Sequence, residues 1–105
     1  MRHVLIAFAC LAAGTAAHAQ DAAAGKAKAA ACTVCHGPQG IAVAPDTPNL
    51  AGQPASYLVE QLKAYRSGAR KHEIMTLMAK PLADADIANL AAWFSSINVE
   101  ATAPN

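Results

Sequence analysis

Large aromatic side chains are scarce in this sequence, which has one Trp, two Tyr and two Phe among its 105 residues. Hydrophobic residues make up 54% of the chain, but Ala supplies much of that share. A chain of this length is expected to form one small domain, and small side chains bury little apolar surface in it. The sequence therefore predicts that a disulfide, a metal or another group completes the core.

Long apolar runs are also lacking, apart from one at residues 4–13. That run is shorter than the roughly 20 residues of a membrane span. It follows a basic start and precedes a small-x-small pattern at residues 17–19, an order that is typical of a secretory signal peptide. We expect residues 1–19 to be a cleaved signal and residues 20–105 to form a periplasmic domain, with residues 98–105 as a flexible tail.

Charge of neither sign dominates, with eight Lys and Arg against seven Asp and Glu and a formal net charge of +1. A nucleic-acid-binding domain carries a clear excess of basic residues, so no nucleic-acid partner is expected. No apolar run follows the predicted signal, so no stable membrane insertion is expected after cleavage.

Helical spacing of apolar residues predicts an all-α domain with three main helices and no strand. The helices are expected at about residues 22–35, 55–66 and 84–97. Gly and Pro punctuate residues 37–54, which are predicted to form a long ordered loop. Residues 70–81 are expected to be a short connection.

The pattern C-x-x-C-H occurs once, at Cys32, Cys35 and His36. This spacing is that of covalent c-type haem attachment, in which the thiols add to the two vinyl groups and the imidazole reaches the iron. A zinc site would need further ligands at suitable spacing. A disulfide would leave His36 unexplained. The motif predicts one covalent haem, and the ring would supply the missing core.

The second axial ligand of the iron decides the chemistry of such a haem. A Met thioether raises the reduction potential and suits electron transfer, whereas an open position suits gas binding or peroxide chemistry. The candidates are Met75, Met78 and His72. Core filling is the commoner role of Met, and His72 lies among charged residues, so the residues alone leave the choice open.

Taken together, these motifs resemble a class I cytochrome c, of the small bacterial periplasmic kind that is similar to one half of the dihaem cytochromes c. The resemblance covers the expected mature chain. It lies in Gly25, in C-T-V-C-H-G at residues 32–37, in P-N-L-A-G-Q at 48–53, in M-T-L-M-A-K-P-L at 75–82 and in D-I-A-N-L-A-A-W-F at 86–94. It implies a small cytochrome c fold, with three main helices and a short ligand-loop segment around one haem.

The resemblance also implies roles for individual residues. Met75 would be the distal iron ligand, with Met78 packed beside the ring and kept as the alternative. A proline carbonyl in the long loop would accept a hydrogen bond from His36, and both Pro45 and Pro48 qualify.

Two features of the terminal helices follow from the same resemblance. The first and last helices are expected to cross at a Gly–aromatic contact, with Gly25 against Trp93 or Phe94. Ala83 stands where relatives commonly place a Ser or Thr cap, and Asp84 is the substitute expected to cap the last helix.

The expected function is periplasmic electron transfer without substrate chemistry, in a monomer. Redox proteins are the expected partners: donor or acceptor cytochromes, an oxidase, a reductase or a dehydrogenase. One alternative is a haem subunit of a larger oxidoreductase, and a weaker one is an open-site enzyme or gas sensor. A basic cluster is either a solvated face or a docking surface for an acidic partner: Lys63, Arg66, Arg70, Lys71 and Lys80.

Overall fold

The structure, a computed structural model, describes residues 20–105. The expected signal peptide, residues 1–19, lies outside the described residues. Over the described part the chain forms helices and no strand, as predicted. The elements are α1 (Ala22–Lys28), a 3₁₀ turn (Ala29–Cys32), α2 (Thr33–His36), α3 (Ala55–Ser67), α4 (Glu73–Ala79) and α5 (Asp84–Ser95). No helix in this part is long and apolar enough to cross a membrane.

The first predicted helix is divided into three pieces. Asp21 caps α1, because its Oδ1 accepts from the backbone N–H groups of Ala23 at 2.9 Å and Ala24 at 3.1 Å. The chain then tightens into the 3₁₀ turn before α2 begins. The prediction of one continuous helix was wrong here. A 3₁₀ turn at a helix end has no strong sequence signal in an Ala-rich stretch.

Helix α1 packs against α5 at Gly25, which is buried. A Cβ atom at Gly25 would lie 2.9 Å from the Cβ of Trp93 and closer still to the backbone of Asn89. The Asn89 side chain also accepts from the N–H of Asp21 at 2.9 Å. The expected Gly–aromatic contact is confirmed for Trp93, whereas Phe94 packs in the core.

The core is small and lies along α5. Its buried cluster contains three large side chains, those of Leu58, Leu90 and Phe94, with Ala29 and Ala91 between them. Burial of each large side chain contributes roughly 1.5–3 kcal/mol. Few such contributions are available, as the composition predicts.

The expected connection over residues 70–81 contains a further helix, α4. His72 is its N-cap, since Nδ1 accepts from the N–H groups of Ile74 and Met75, both at 3.2 Å. The N–H of His72 in turn donates to the hydroxyl of Thr76 at 3.0 Å. The start of this helix was not predictable from the residues, because His is not among the usual N-cap residues. Met75 and Met78 consequently lie one helical turn apart.

Helix α5 begins without a side-chain cap. Ala83 occupies the N-cap position, and only the reverse half of a capping box is formed, in which Asp86 Oδ2 accepts from the N–H of Ala83 at 2.9 Å. Asp84 was expected to cap the helix, but its side chain does not do so. Its carboxylate instead binds Arg66, with Nη2 at 2.6 Å from Oδ1.

Supplying the missing cap should stabilise the protein. A Ser hydroxyl at position 83 can accept from a free N–H group in the first turn of α5, so we expect Ala83→Ser to raise the free energy of unfolding by about 1 kcal/mol. Ala85→Ser places the same hydroxyl inside the helix and serves as control, with a small loss expected. Denaturant unfolding of the haem-loaded protein measures both. Equal effects of the two changes would contradict the capping argument.

The Arg66–Asp84 pair is expected to make a pH-dependent contribution to stability. The hydrogen bond from Arg66, its charge and the charge of Lys63 together hold the pKa of the Asp84 carboxyl below its ordinary value of 3.8. A group with a lowered folded-state pKa stabilises the fold above its unfolded pKa and loses that effect as the pH falls through the folded value. We therefore expect wild type to exceed Asp84→Asn in stability by a constant amount from neutral pH to about pH 4.

Below that pH the difference between the two proteins should shrink. Unfolding of wild type and Asp84→Asn side by side over this range measures it. A difference that stays constant to the lowest pH would show that the ionised carboxylate is not responsible.

Candidate haem site

The long loop between α2 and α3 is closed on itself by hydrogen bonds. The carbonyl of Gly40 accepts from the N–H groups of Leu50 at 2.7 Å and Ala51 at 3.0 Å. The Asn49 side chain accepts from the N–H of Ala42 at 2.7 Å. These bonds join the second half of the loop to its first half. Asn49 lies within the P-N-L-A-G-Q segment, and no local sequence pattern marks it for this bond.

Gly40 is needed at this closure for two reasons. Its φ is +75°, a conformation that side chains other than Gly rarely adopt. A Cβ there would also lie 2.8 Å from the Ala51 nitrogen and 3.0 Å from the ring of Phe94. The loop therefore packs directly on the core at Gly40.

His36 is the one buried polar residue among the described residues, with 7% of its surface exposed. Its Nδ1 lies 2.8 Å from the carbonyl oxygen of Pro48. A carbonyl only accepts, so Nδ1 carries the proton and Nε2 of the neutral ring has a free lone pair for a metal. The carbonyl of Pro45 instead accepts from the Thr47 hydroxyl at 3.3 Å. The geometry thus pairs His36 with Pro48.

A cavity of about 520 Å³ opens beside His36. This volume falls within the roughly 300–1,000 Å³ of small-molecule and cofactor sites. Side chains from every element except α1 line it, as does the second half of the long loop. Leu58, Leu90 and Phe94 form part of its wall. The core cluster and the cavity wall are therefore the same surface.

Cys32 and Cys35 both line the cavity, and both are half-buried free thiols. Burial raises the pKa of the Cys32 thiol, so it is protonated at neutral pH. The attacking thiol of a catalytic dithiol instead has a lowered pKa. Between the two cysteines, Val34 points outward with 78% of its surface exposed. The two thiols and His36 therefore line the cavity, while the Val34 side chain between the cysteines is largely exposed to solvent.

All three candidates for the second axial ligand line the cavity: Met75, Met78 and His72. Met75 is half-buried and Met78 is 38% exposed. His72 already uses Nδ1 to cap α4. Greater burial favours Met75 as the second axial ligand. The helical spacing brings Met78 to the same cavity.

The predicted basic cluster is partly occupied by internal contacts. Arg66 binds Asp84 and donates to the carbonyl of Leu82 at 2.9 Å. Arg70 donates to Gln61. The lysines of the cluster are exposed: Lys63, Lys71 and Lys80.

The chemistry of this cavity fits a covalent haem. Its walls are largely apolar, two free thiols face it, and a buried imidazole is oriented with Nε2 available. A family model described as "Cytochrome c" matches residues 22–98. The chain belongs to the cytochrome c family. It binds haem c covalently and is an electron-transfer protein.

Similar proteins support this membership along most of the chain. Cytochrome c-554(548) of Halomonas halodenitrificans is 52% identical over 81 residues, which are 74% of this chain and 98% of that protein. The solved structure of reduced recombinant cytochrome c4 from Pseudomonas stutzeri is 43% identical with a TM-score of 0.71, over 76% of this chain and 47% of that one. The chain thus spans under half the length of this cytochrome c4.

A third match is to the thiosulfate dehydrogenase TsdBA from Marichromatium purpuratum. It is 38% identical with a TM-score of 0.69, over 74% of this chain and 19% of that chain. The expected all-α fold, covalent haem and electron transfer are confirmed by these comparisons. The roles of individual residues remain predictions.

Proposed function

We propose that this cytochrome is a periplasmic electron carrier whose haem is held by Cys32 and Cys35, with His36 and Met75 as the axial ligands of the iron. The observation that carries the proposal is the convergence of these four side chains on one cavity. When bound, haem c supplies the one-electron exchange between Fe(III) and Fe(II).

The residues around the cavity would hold the iron in a fixed environment. The Pro48 carbonyl orients the imidazole of His36 and raises its basicity. The thioether of Met75, at the first turn of α4, is a soft ligand that stabilises Fe(II) and raises the reduction potential. Two filled axial positions leave little to rearrange when an electron arrives, which suits a carrier.

Exposure of the ferrous protein to carbon monoxide at neutral pH tests this function. A carrier with both axial positions filled should bind almost none, and its spectrum should change little. A redox titration should show one reversible one-electron step. Ready binding of carbon monoxide would instead support an open-site enzyme or gas sensor.

The periplasmic location rests on the predicted signal at residues 1–19. The mass of the haem-loaded protein from the periplasmic fraction checks it. The proposal predicts a chain that begins at Gln20 and carries one haem. Retention of residues 1–19 in the mature protein would contradict cleavage.

The likeness to TsdBA favours a second candidate, a haem subunit of a larger oxidoreductase. Such a subunit would share the cavity and the ligands, so the spectrum does not separate the two. Purification from the source organism under mild conditions does. Elution as a free small protein supports the carrier, whereas constant co-elution with a catalytic subunit supports the second candidate.

A further inference from the structure

One cationic side chain, that of Arg70, lines the haem cavity. Among the described residues that line the cavity, Arg70 is the one lysine or arginine. It is also exposed to solvent, which places its side chain at the mouth of the cavity. Haem carries two propionate groups, and a carboxylate that is taken out of water needs a charged or hydrogen-bonding partner.

Arg70 is held in position by two residues of α3. Its Nη1 donates to Gln61 Oε1 at 2.7 Å, and its guanidinium lies 4.7 Å from the centroid of the Tyr65 ring. Its backbone N–H donates to the carbonyl of Ala64 at 3.1 Å. Gln61 and Tyr65 line the cavity as well. The contacts with Gln61 and Tyr65 therefore orient the Arg70 side chain at the cavity mouth, and the backbone bond to Ala64 fixes the residue against α3.

The guanidinium keeps most of its hydrogen-bonding capacity. Arg has five N–H donors, and Gln61 accepts from one nitrogen. Among the described residues, no Asp or Glu forms a salt bridge with Arg70; the pairs found are Lys28–Asp86 and Arg66–Asp84. The remaining donors suit a carboxylate, which the planar guanidinium binds with two parallel hydrogen bonds.

We propose that Arg70, held by Gln61 and Tyr65, binds a haem propionate and so positions the ring and adjusts its potential. The inference rests on the haem occupying this cavity, as proposed above. The other titratable side chains that line the cavity, besides the cysteines, are Asp46, His36, His72, Tyr57 and Tyr65. Asp46 would repel a propionate, and both imidazoles use Nδ1 elsewhere. Arg70 is thus the cationic partner that the cavity offers.

This pairing has an electrostatic consequence for the iron. An unpaired propionate places a negative charge near the haem and favours Fe(III). The cation of Arg70 offsets that charge and favours Fe(II), which raises the reduction potential. It also favours the ionised propionate, so the potential should vary little around neutral pH.

Arg70→Gln tests the proposal, with Lys71→Gln as the matched control. Both changes remove one positive charge from neighbouring positions, but Lys71 does not line the haem cavity. The midpoint potential from about pH 5 to about pH 9 and the propionate bending band in the resonance Raman spectrum are the readouts. We expect Arg70→Gln to lower the potential more than Lys71→Gln, to make it vary with pH, and to shift the propionate band.

Arg70→Lys separates charge from geometry. It retains a point charge without the planar pair of donors, so its potential should fall between wild type and Arg70→Gln, with the Raman band still shifted. If the Arg70→Gln chain does not attach haem, the midpoint potential and the propionate band of Arg70→Lys test the proposal instead. A Raman band at the wild-type position in the Arg70 variants, with a potential no lower than in Lys71→Gln, would overturn the proposal.

Failure of this inference is distinguishable from failure of the proposed axial ligands. The Raman band reports on the propionate whichever residue binds the iron. Carbon monoxide binding reports on the axial position and should stay negligible in each Arg70 variant. A wild-type protein that binds carbon monoxide would contradict Met75 ligation and leave the propionate measurement valid.

Discussion

Replacement of Met75 by Ala should lower the reduction potential of the haem on the order of 0.2 V, since axial ligands set haem potentials over a range of about 0.8 V. Loss of the thioether removes the soft ligand that stabilises Fe(II). It also leaves one axial position free, so the ferrous variant should bind carbon monoxide readily. Potentiometric titration and a carbon monoxide difference spectrum measure these effects.

Met78→Ala is the matched control for Met75→Ala. It removes the same side chain from the same helix and the same cavity, one turn further on. We expect a potential close to that of wild type and negligible carbon monoxide binding. The reverse pattern would make Met78 the ligand. Carbon monoxide binding by neither variant would point to a ligand other than these two, and His72 would then be the first to test.

Replacement of Gly25 by Val should reduce the free energy of unfolding by about 3 kcal/mol, the upper part of the usual range for overpacking. Any Cβ at this position meets the Asn89 backbone and the Cβ of Trp93. Backbone atoms cannot move aside as a flexible side chain can, so α1 and α5 must separate. This clash exceeds the gain of up to about 1 kcal/mol that replacing a helical Gly brings.

Ala24→Val is the control for this substitution, because Ala24 lies on α1 and is exposed. It introduces the same β-branched side chain without a clash, and should cost about 0.5 kcal/mol. Denaturant unfolding of the haem-loaded variants gives both values. Equal losses in the two variants would show that the α1–α5 contact tolerates a side chain at Gly25.

The features that the sequence predicted well are those carried by short, local patterns. Cys32, Cys35 and His36 stand at fixed spacing within one segment, so their convergence needs no knowledge of the rest of the fold. The apolar stripe of α5 follows helical periodicity in the same way, and its members Ile87 and Leu90 are buried.

Features that depend on several segments meeting were not predictable from the residues. Pro45 and Pro48 are equivalent in sequence, and the path of the loop decides which carbonyl reaches His36. That path depends on Asn49 and on the bonds to Gly40. Arg70 is likewise one of several basic residues in the sequence, and only the packing of its side chain against α3 brings it to the cavity.

Helix α4 was also not predictable from the residues. Its seven residues are few for a periodic signal, and its cap is a His rather than Ser, Thr, Asp or Asn. The sequence therefore predicts only a short connection over residues 70–81. Its helical geometry has a functional consequence, because it places both Met75 and Met78 at the cavity. The difference in their burial is then what favours Met75 as the iron ligand.

The absorption spectrum of the ferric protein tests the central claim most directly. Methionine ligation to ferric haem gives a weak long-wavelength charge-transfer band. Iron held between His36 and Met75 predicts this band in wild type and in Met78→Ala, and its loss in Met75→Ala. Its absence from wild type, or its persistence in Met75→Ala, would contradict the account.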